Sequence, residues 1–189
     1  FRGCYWARCS FCSHSCHPYT RRYSFRKSAS LSGAYLGRVA AHVRDMKKRY
    51  GIADFTLSDN LVSPGIMGQL CDLNEALGLG ITWDSLARFE KEYTRDFCRR
   101  LAAGGCTRLD LGLETASDAG LKKMRKGITM KLVVRCLRNL AAAGVGTRVI
   151  VLHYPGQRVE EFEDTLRFLA DHGDMISEVA VSRFYLAMG

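Results

Sequence analysis

Short apolar runs alternate with helical stripes along almost the whole chain, and the connections between them are short. Residues 147–152, for example, form a β-branched run typical of a buried strand. Residues 130–143 repeat apolar side chains at three- and four-residue steps, as one face of a helix does. A strand–helix–strand order with short connections implies right-handed crossovers, so the chain is predicted to be an α/β protein with a parallel sheet and outer helices.

The predicted elements can be placed along the chain from these patterns and from capping residues. Strands are expected at residues 52–57, 81–89, 108–113, 147–152 and 178–185. Helices are expected at residues 36–50, 64–77, 95–103, 118–126, 130–143 and 159–169. Thr94 and Thr129 are predicted helix caps, and Pro64 stands in a predicted first helical turn.

Four of the eight cysteines lie near the start of the sequence, and a loop of this kind needs a strand to present it. Because no such strand precedes Cys4, we expect a truncated first strand and hence a partial (β/α)6 TIM-type barrel. Residues 1–189 are then one core domain of a longer protein.

Composition narrows the class of protein further. There is no run of eighteen apolar residues, so neither a membrane span nor a signal segment is expected. A cysteine-rich chain without such a segment indicates reduced thiols and a cytoplasmic location. The net charge of +9 is diffuse, and its densest basic patch, residues 21–27, is short, so nucleic acid is not the expected partner.

Three of the early cysteines follow a Cys-x4-Cys-x2-Cys spacing: Cys4, Cys9 and Cys12. We call residues 4–12 the cysteine loop. Soft thiolates at such short intervals favour an iron–sulfur cluster or zinc. An ordinary [4Fe–4S] cluster takes four cysteines, so a trio would leave one iron without a protein ligand.

Zinc is the alternative metal, bound by Cys9, Cys12 and Cys16 with His14 or His17. Those ligands would be cramped, because structural zinc sites usually pair two well-separated couples. The sequence leaves the role of Cys16 open. The other four cysteines fall singly in apolar patterns and are expected to pack as small inert hydrophobes: Cys71, Cys98, Cys106 and Cys136.

Polar residues follow several predicted strands, where chemistry sits in barrels of this type. They are Asp59, within the run 58–60, Arg88, Glu114 and His153, together with the cysteine loop. The chain shows no Ser-His-Asp set, no phosphate-binding glycine loop and no His-Glu-x-x-His helix, so those enzyme classes lack support.

The segments Arg2-Gly3-Cys4 and Cys9-Ser10-Phe11-Cys12 resemble the cluster loop of the radical S-adenosylmethionine (SAM) superfamily. The first gap has four residues where that family usually has three. The resemblance implies an open iron that chelates the amino and carboxylate groups of SAM. It also implies one-electron cleavage of SAM to methionine and a 5′-deoxyadenosyl radical, with an external donor of the flavodoxin or ferredoxin type.

The resemblance extends along the chain and implies roles for further residues. Phe11, Val151 and Pro155 would lie near adenine, and Asp59 would accept from the SAM ammonium. Gly112 and Glu114 match a Gly-x-Glu segment in which the carboxylate takes the ribose hydroxyls. Arg88 and Lys126 are candidates for the SAM carboxylate. His153 stands where the family usually has glycine, and its role is left open.

The run Met124-Arg125-Lys126-Gly127-Ile128-Thr129 looks like one common in cobalamin-linked radical SAM enzymes, so an upstream cobalamin-binding domain is an expectation. The leading hypothesis is a radical SAM enzyme acting on an unknown small molecule or peptide, by methyl transfer or another C–H functionalisation. Within enzymes, the alternative is a methylthiotransferase acting on RNA or protein. Outside enzymes, it is a zinc-containing module that binds nucleic acid.

Overall fold

The structure is a computed structural model, and it describes residues 3–12, 27 and 29–184. Several sequence predictions lie outside the described residues. They are the zinc ligands His14, Cys16 and His17, the basic patch apart from Lys27, and the end of the last predicted strand at Tyr185.

The described chain contains one parallel sheet of five strands, in the order β1-β2-β3-β4-β5. The strands are β1 (Asp54–Leu57), β2 (Thr82–Ala87), β3 (Cys106–Glu114), β4 (Gly146–His153) and β5 (Glu178–Arg183). All five predicted strands are therefore present, and the α/β architecture is confirmed. A further strand before the cysteine loop stays a prediction.

One helix precedes β1 and the others connect successive strands, as the alternation predicted. They are α1 (Gly33–Tyr50), α2 (Pro64–Ala76), α3 (Arg95–Ala103), α4 (Asp118–Lys123), α5 (Met130–Ala142) and α6 (Val159–Asp171), followed by a 3-10 turn (Gly173–Met175). The hydroxyls of Thr94 and Thr129 accept backbone N–H groups at the starts of α3 and α5, so both predicted caps are confirmed. No helix within the described ranges combines the length and apolar character needed to cross a membrane.

The core lies between the sheet and its helices. Leu109, Leu111 and Leu113 alternate along β3 and are completely buried. The four cysteines that the sequence predicts to be inert are also buried. Burial raises the pKa of one of these thiols, that of Cys98, to about 12. A thiol held neutral in this way is a packing group and a poor nucleophile.

The parallel arrangement has one consequence for function. All five strands end at the same edge of the sheet, so the loops after β1, β2, β3 and β4 meet there. The cysteine loop is attached to this edge by the contacts described next.

Candidate cofactor site at the carboxyl edge of the sheet

The cysteine loop is fastened to the segment that follows α4. The indole Nε1 of Trp6 donates to the carbonyl oxygen of Arg125 at 2.9 Å. The backbone N–H of Ser10 donates to the Met124 carbonyl at 3.0 Å, and the Ser10 hydroxyl donates to the Lys123 carbonyl at 3.3 Å. Main-chain acceptors at positions 123–125 therefore fix the register of the loop.

A second attachment joins the loop to the end of β2. The Tyr5 hydroxyl donates to Glu90 Oε1 at 2.9 Å, and the same carboxylate binds Arg88 Nε at 3.2 Å and Lys27 Nζ at 2.6 Å. Burial, followed by the neighbouring Glu90 charge, raises the pKa of Tyr5 well above its usual value, so the phenol stays a donor. Glu90 thus joins the cysteine loop and Lys27 to the segment that follows β2.

Arg88 is the buried centre of these contacts, with 7% of its surface exposed. Its Nη2 donates to the Lys126 carbonyl at 2.6 Å, and its guanidinium carbon lies 4.3 Å from the centre of the Trp6 ring. A guanidinium at that distance over an indole face is a favourable cation–π contact. Arg88 therefore holds Trp6 and the Lys126 backbone together.

Three half-buried thiols, those of Cys4, Cys9 and Cys12, are carried on this loop. The Ala7 N–H donates to Cys4 Sγ at 3.4 Å, a contact of the kind that adjusts cluster potentials. Within the described residues, no three His, Cys, Asp or Glu side chains converge as ligands of a single metal ion. Thiolates of a cubane bind separate irons, so three thiols on one short loop fit a cluster by the chemistry of their donors.

The electrostatic surroundings of Cys9 show what its thiol faces. Burial raises the pKa of Cys9, Lys126 and Arg88 act to lower it, and Cys12 and Cys4 act to raise it. The other two thiols and two cations therefore lie within electrostatic range of Cys9. This environment suits a bound group that carries negative charge.

A buried ion pair lies beside the thiols. Lys126 Nζ is 2.9 Å from Glu114 Oε1, and the two residues are 4% and 7% exposed. Lys126 Nζ is also 5.7 Å from the centre of the Phe11 ring in the cysteine loop. The structure thus brings together Phe11, Arg88, Gly112, Glu114 and Lys126, five of the residues that the sequence predicted for SAM.

The geometry of the ion pair depends on an irregular strand end. The β3–β4 register shifts between Gly112 and Glu114, and Glu114 has a φ of 70°. Bulges of this type redirect a side chain, and a non-glycine residue at positive φ is a strained conformation that clusters at functional sites. A Cβ on Gly112 would lie 2.6 Å from Glu114 Oε1, so any other residue there would force the Glu114 carboxylate to move.

The remaining predicted residues lie on the same edge, in the last residues of β4 or in the segments that follow β1 and β4. Val151 pairs with Glu114 across β3 and β4 and is completely buried. Asp59 is half-buried in the bend after β1, and Pro155 is exposed in the turn after β4. His153 is exposed, with Nδ1 3.1 Å from Gln157 Oε1.

Sequence reasoning missed the residues that attach the loop: Tyr5, Trp6, Glu90 and Gly127. Gly127 has a φ of +65°, and a Cβ there would overlap the Trp6 ring. Two signals in the sequence pointed to these residues. One is Trp6, which stands between two cysteines, and the other is Glu90, which closes the Arg-Phe-Glu run at the end of a predicted strand. Neither signal indicates which distant segment it contacts.

Comparison with known proteins identifies the family. The Radical SAM superfamily model matches residues 1–169. A tRNA-2-methylthio-N(6)-dimethylallyladenosine synthase from Desulfosudis oleivorans is 26% identical over 199 aligned positions, which cover 99% of this chain and 39% of that protein. The chain therefore spans about two fifths of the length of this curated relative.

Two solved structures share the fold. The radical SAM methyltransferase TsrM from Kitasatospora setae superposes with a TM-score of 0.74 at 18% identity, covering 96% of this chain and 32% of that one. The cobalamin-dependent SAM radical enzyme OxsB gives a TM-score of 0.70 at 24% identity, covering 95% and 26%. The chain belongs to the radical SAM superfamily, which uses a [4Fe–4S] cluster and SAM.

Proposed function

We propose that this chain is the core of a radical SAM enzyme, in which Cys4, Cys9 and Cys12 bind a [4Fe–4S] cluster with one iron open to SAM. The observation that carries the proposal is the attachment of the cysteine loop beside Arg88 and the Glu114–Lys126 pair. When bound, the cluster would supply one electron that cleaves SAM to methionine and a 5′-deoxyadenosyl radical.

The protein's own contribution begins with charge. Burial raises the pKa of Cys9, and Lys126 and Arg88 act against that shift and favour the thiolate, the form that binds iron. The Ala7 N–H at Cys4 Sγ adds a donor to one thiolate and would help to set the potential. Because Lys126 and Arg88 are themselves buried, their attraction for a thiolate is stronger than it would be in water.

The Glu114–Lys126 pair is the proposed contact for the polar parts of SAM. Glu114 offers acceptors for the ribose hydroxyls, and Lys126 offers a cation for the carboxylate. Arg88 already donates from two nitrogens to protein acceptors, so we assign it mainly to positioning Trp6 and Lys126. Glycine at position 112 leaves the Glu114 carboxylate and the Lys126 ammonium in place, because a Cβ there would lie 2.6 Å from Glu114 Oε1 and 3.0 Å from Lys126 Nζ.

The other predicted SAM contacts remain part of the proposal. Phe11, Val151 and Pro155 are assigned to the adenine side and Asp59 to the ammonium. The apolar character of Phe11 and the burial of Val151 support a water-poor wall for the ring. Exclusion of water protects a primary-carbon radical from side reactions.

The test is anaerobic reconstitution with iron and sulfide, followed by reduction with dithionite in the presence of SAM. We expect 5′-deoxyadenosine to form, and Cys4→Ala, Cys9→Ala or Cys12→Ala to abolish it. Cys16→Ala is the matched control and should leave it unchanged. One bound zinc without labile sulfide would overturn the proposal in favour of the zinc-containing module.

A second function, methylthiotransfer to RNA or protein, is supported by the match to the tRNA-modifying synthase across 99% of this chain. Such enzymes usually carry a second cluster domain and an RNA-binding tail. Incubation of the full-length protein with undermodified tRNA, followed by mass spectrometry of the nucleosides, would detect the added methylthio group. Products on a small molecule or peptide instead would favour methyl transfer or another C–H functionalisation.

Two expectations complete the proposal. An upstream cobalamin-binding domain predicts the visible absorption of a corrinoid in the purified full-length protein. A cytoplasmic location is also proposed, on the basis of the buried free thiols of Cys71, Cys98, Cys106 and Cys136.

A further inference from the structure

The turn that follows Glu114 is fastened to α6 through one buried hydroxyl, that of Thr165. Thr165 lies in α6 and has no exposed surface. Its Oγ1 accepts the backbone N–H of Ala116 at 3.1 Å and lies 3.5 Å from Thr115 Oγ1. Thr165 therefore binds the two residues that come directly after Glu114 in the chain.

The directions of these hydrogen bonds follow from what a threonine hydroxyl can do. It has one hydrogen to donate and two lone pairs that accept. Thr165 donates its hydrogen to the carbonyl oxygen of Glu161, one turn earlier in α6, at 2.9 Å. Its lone pairs are then left for the Ala116 N–H and for the Thr115 hydroxyl, which acts as the donor. One oxygen thus joins α6 to the end of β3 by two bonds.

Thr115 is held from a second side by α4. It is completely buried, and a Cβ added to Gly120 of α4 would lie 2.7 Å from Thr115 Cγ2. A residue without a hydroxyl at position 165 would leave the Thr115 hydroxyl without this partner in a place closed to water. It would also leave the Ala116 N–H without its acceptor. Unsatisfied groups of this kind are costly, so the turn would rearrange.

The rearrangement would reach Glu114 because its backbone is strained. Glu114 has a φ of 70°, and the β3–β4 register shifts between Gly112 and Glu114. A strained conformation persists only where the surrounding structure holds it. Pairing with Val151 of β4 holds Glu114 on one side, and Thr165 fixes the two residues on the other.

We propose that Thr165 is a positioning residue for SAM, which keeps the Glu114 carboxylate in the place where it accepts the ribose hydroxyls. The inference rests on the proposed function, in which Glu114 makes that contact. Thr165 acts through residues 115 and 116, so its effect on SAM is indirect. The effect is also specific to the ribose, which distinguishes it from a general loss of stability.

The test measures the Kd of the reconstituted, oxidised full-length protein for SAM and for a SAM analogue without the two ribose hydroxyls. In the wild type, we expect the analogue to bind about tenfold more weakly, because a carboxylate accepts strongly from hydroxyl groups. In Thr165→Val, SAM should bind about tenfold more weakly, and the ratio of the two Kd values should fall below about threefold. Thr165→Ser keeps the hydroxyl and should keep the wild-type ratio.

Thr147→Val is the matched control, because it removes a buried threonine hydroxyl far from Glu114. Thr147 is 1% exposed, and its Oγ1 donates to the Met175 carbonyl at 2.9 Å. It stands near the start of β4, about 13 Å along the strand from Val151, the residue that pairs with Glu114. Its iron content, SAM affinity and Kd ratio should equal those of the wild type.

The outcomes separate this inference from the proposed function. A wild type that binds no SAM after reconstitution would overturn the proposed function itself. With SAM bound, a wild type indifferent to the ribose hydroxyls, an unchanged ratio in Thr165→Val, or an equal change in Thr147→Val would each overturn the positioning role. If Thr165→Val does not fold, hydrogen exchange of the wild type decides. The Ala116 amide should be as protected as the amides of β3, and free exchange there would overturn the inference.

Discussion

Replacing Gly127 by alanine should detach the cysteine loop from the sheet. Gly127 has a φ of +65°, and an added Cβ would overlap the Trp6 ring. Trp6 would then lose its 2.9 Å bond to the Arg125 carbonyl and its contact with Arg88. Gly144 provides a matched control, because its φ is +76° and an added Cβ would meet nothing within 4 Å.

The size of the effect follows from these contacts. Both variants place alanine in the left-handed region, which costs about 1–2 kcal/mol. Only Gly127→Ala also loses the indole hydrogen bond, worth about 0.5–1.5 kcal/mol, and the cation–π contact, worth about 0.5–2 kcal/mol. We therefore expect Gly144→Ala to reduce the free energy of unfolding by about 1–2 kcal/mol and Gly127→Ala by about 2–5.5 kcal/mol.

Urea unfolding, tryptophan emission and iron content measure this difference. Trp83 is 2% exposed and distant in sequence from the loop, so a red shift in Gly127→Ala reports Trp6. Iron bound after reconstitution should fall in Gly127→Ala and stay at the wild-type level in Gly144→Ala. Removing the ring with Trp6→Ala should make the Gly127→Ala change less costly, because the two substitutions share one contact.

Equal stability, emission and iron content in the two glycine variants would refute this reasoning. Additive effects of Trp6→Ala and Gly127→Ala would do the same, since residues that do not touch are expected to act independently.

Glu114→Gln should lower the free energy of unfolding by about 3–5 kcal/mol, because it leaves the buried Lys126 ammonium without its carboxylate. Urea unfolding of the double variant Glu114→Gln/Lys126→Met should show that most of this loss is recovered. A loss of only about 0–1 kcal/mol in Glu114→Gln, as for an exposed ion pair, would contradict a buried one. Stability should also fall as the pH rises above about 9. Burial raises the pKa of several thiols in the folded state above the usual value near 9. As the pH rises, these thiols therefore ionise first in the unfolded chain, which stabilises the unfolded state relative to the folded one. The decline should continue through pH 11 to 12, as measured by unfolding at fixed urea, and the thiols concerned are Cys71, Cys98 and Cys136. A flat profile between pH 8.5 and about 10.5 in a background without exposed cysteines would contradict buried thiols.

The elements of the fold were predictable because their signals are local. Thr94 and Thr129 begin helices through bonds to a backbone N–H three residues later. The apolar alternation in β3 is likewise contained within the strand. Strand ends were therefore placed well enough to identify Arg88 and Glu114 as residues of the same edge.

The pairings within the site were not predictable in the same way. The Tyr5–Glu90 bond joins residues 85 positions apart, and the Trp6–Arg125 bond joins residues 119 positions apart. Such contacts depend on how the loop packs on the finished sheet, which no local pattern encodes. The register shift beside Glu114 depends similarly on the pairing of β3 with β4.

The most direct test of the central claim is electron paramagnetic resonance of the reduced, reconstituted protein with and without SAM labelled at its amino nitrogen. We expect about four irons and four sulfides per chain, a cluster signal that shifts on SAM addition, and a hyperfine coupling from the label to the cluster. Cys4→Ala, Cys9→Ala and Cys12→Ala should each lose the signal. A cluster signal that is indifferent to SAM, or that persists in Cys9→Ala, would contradict the account.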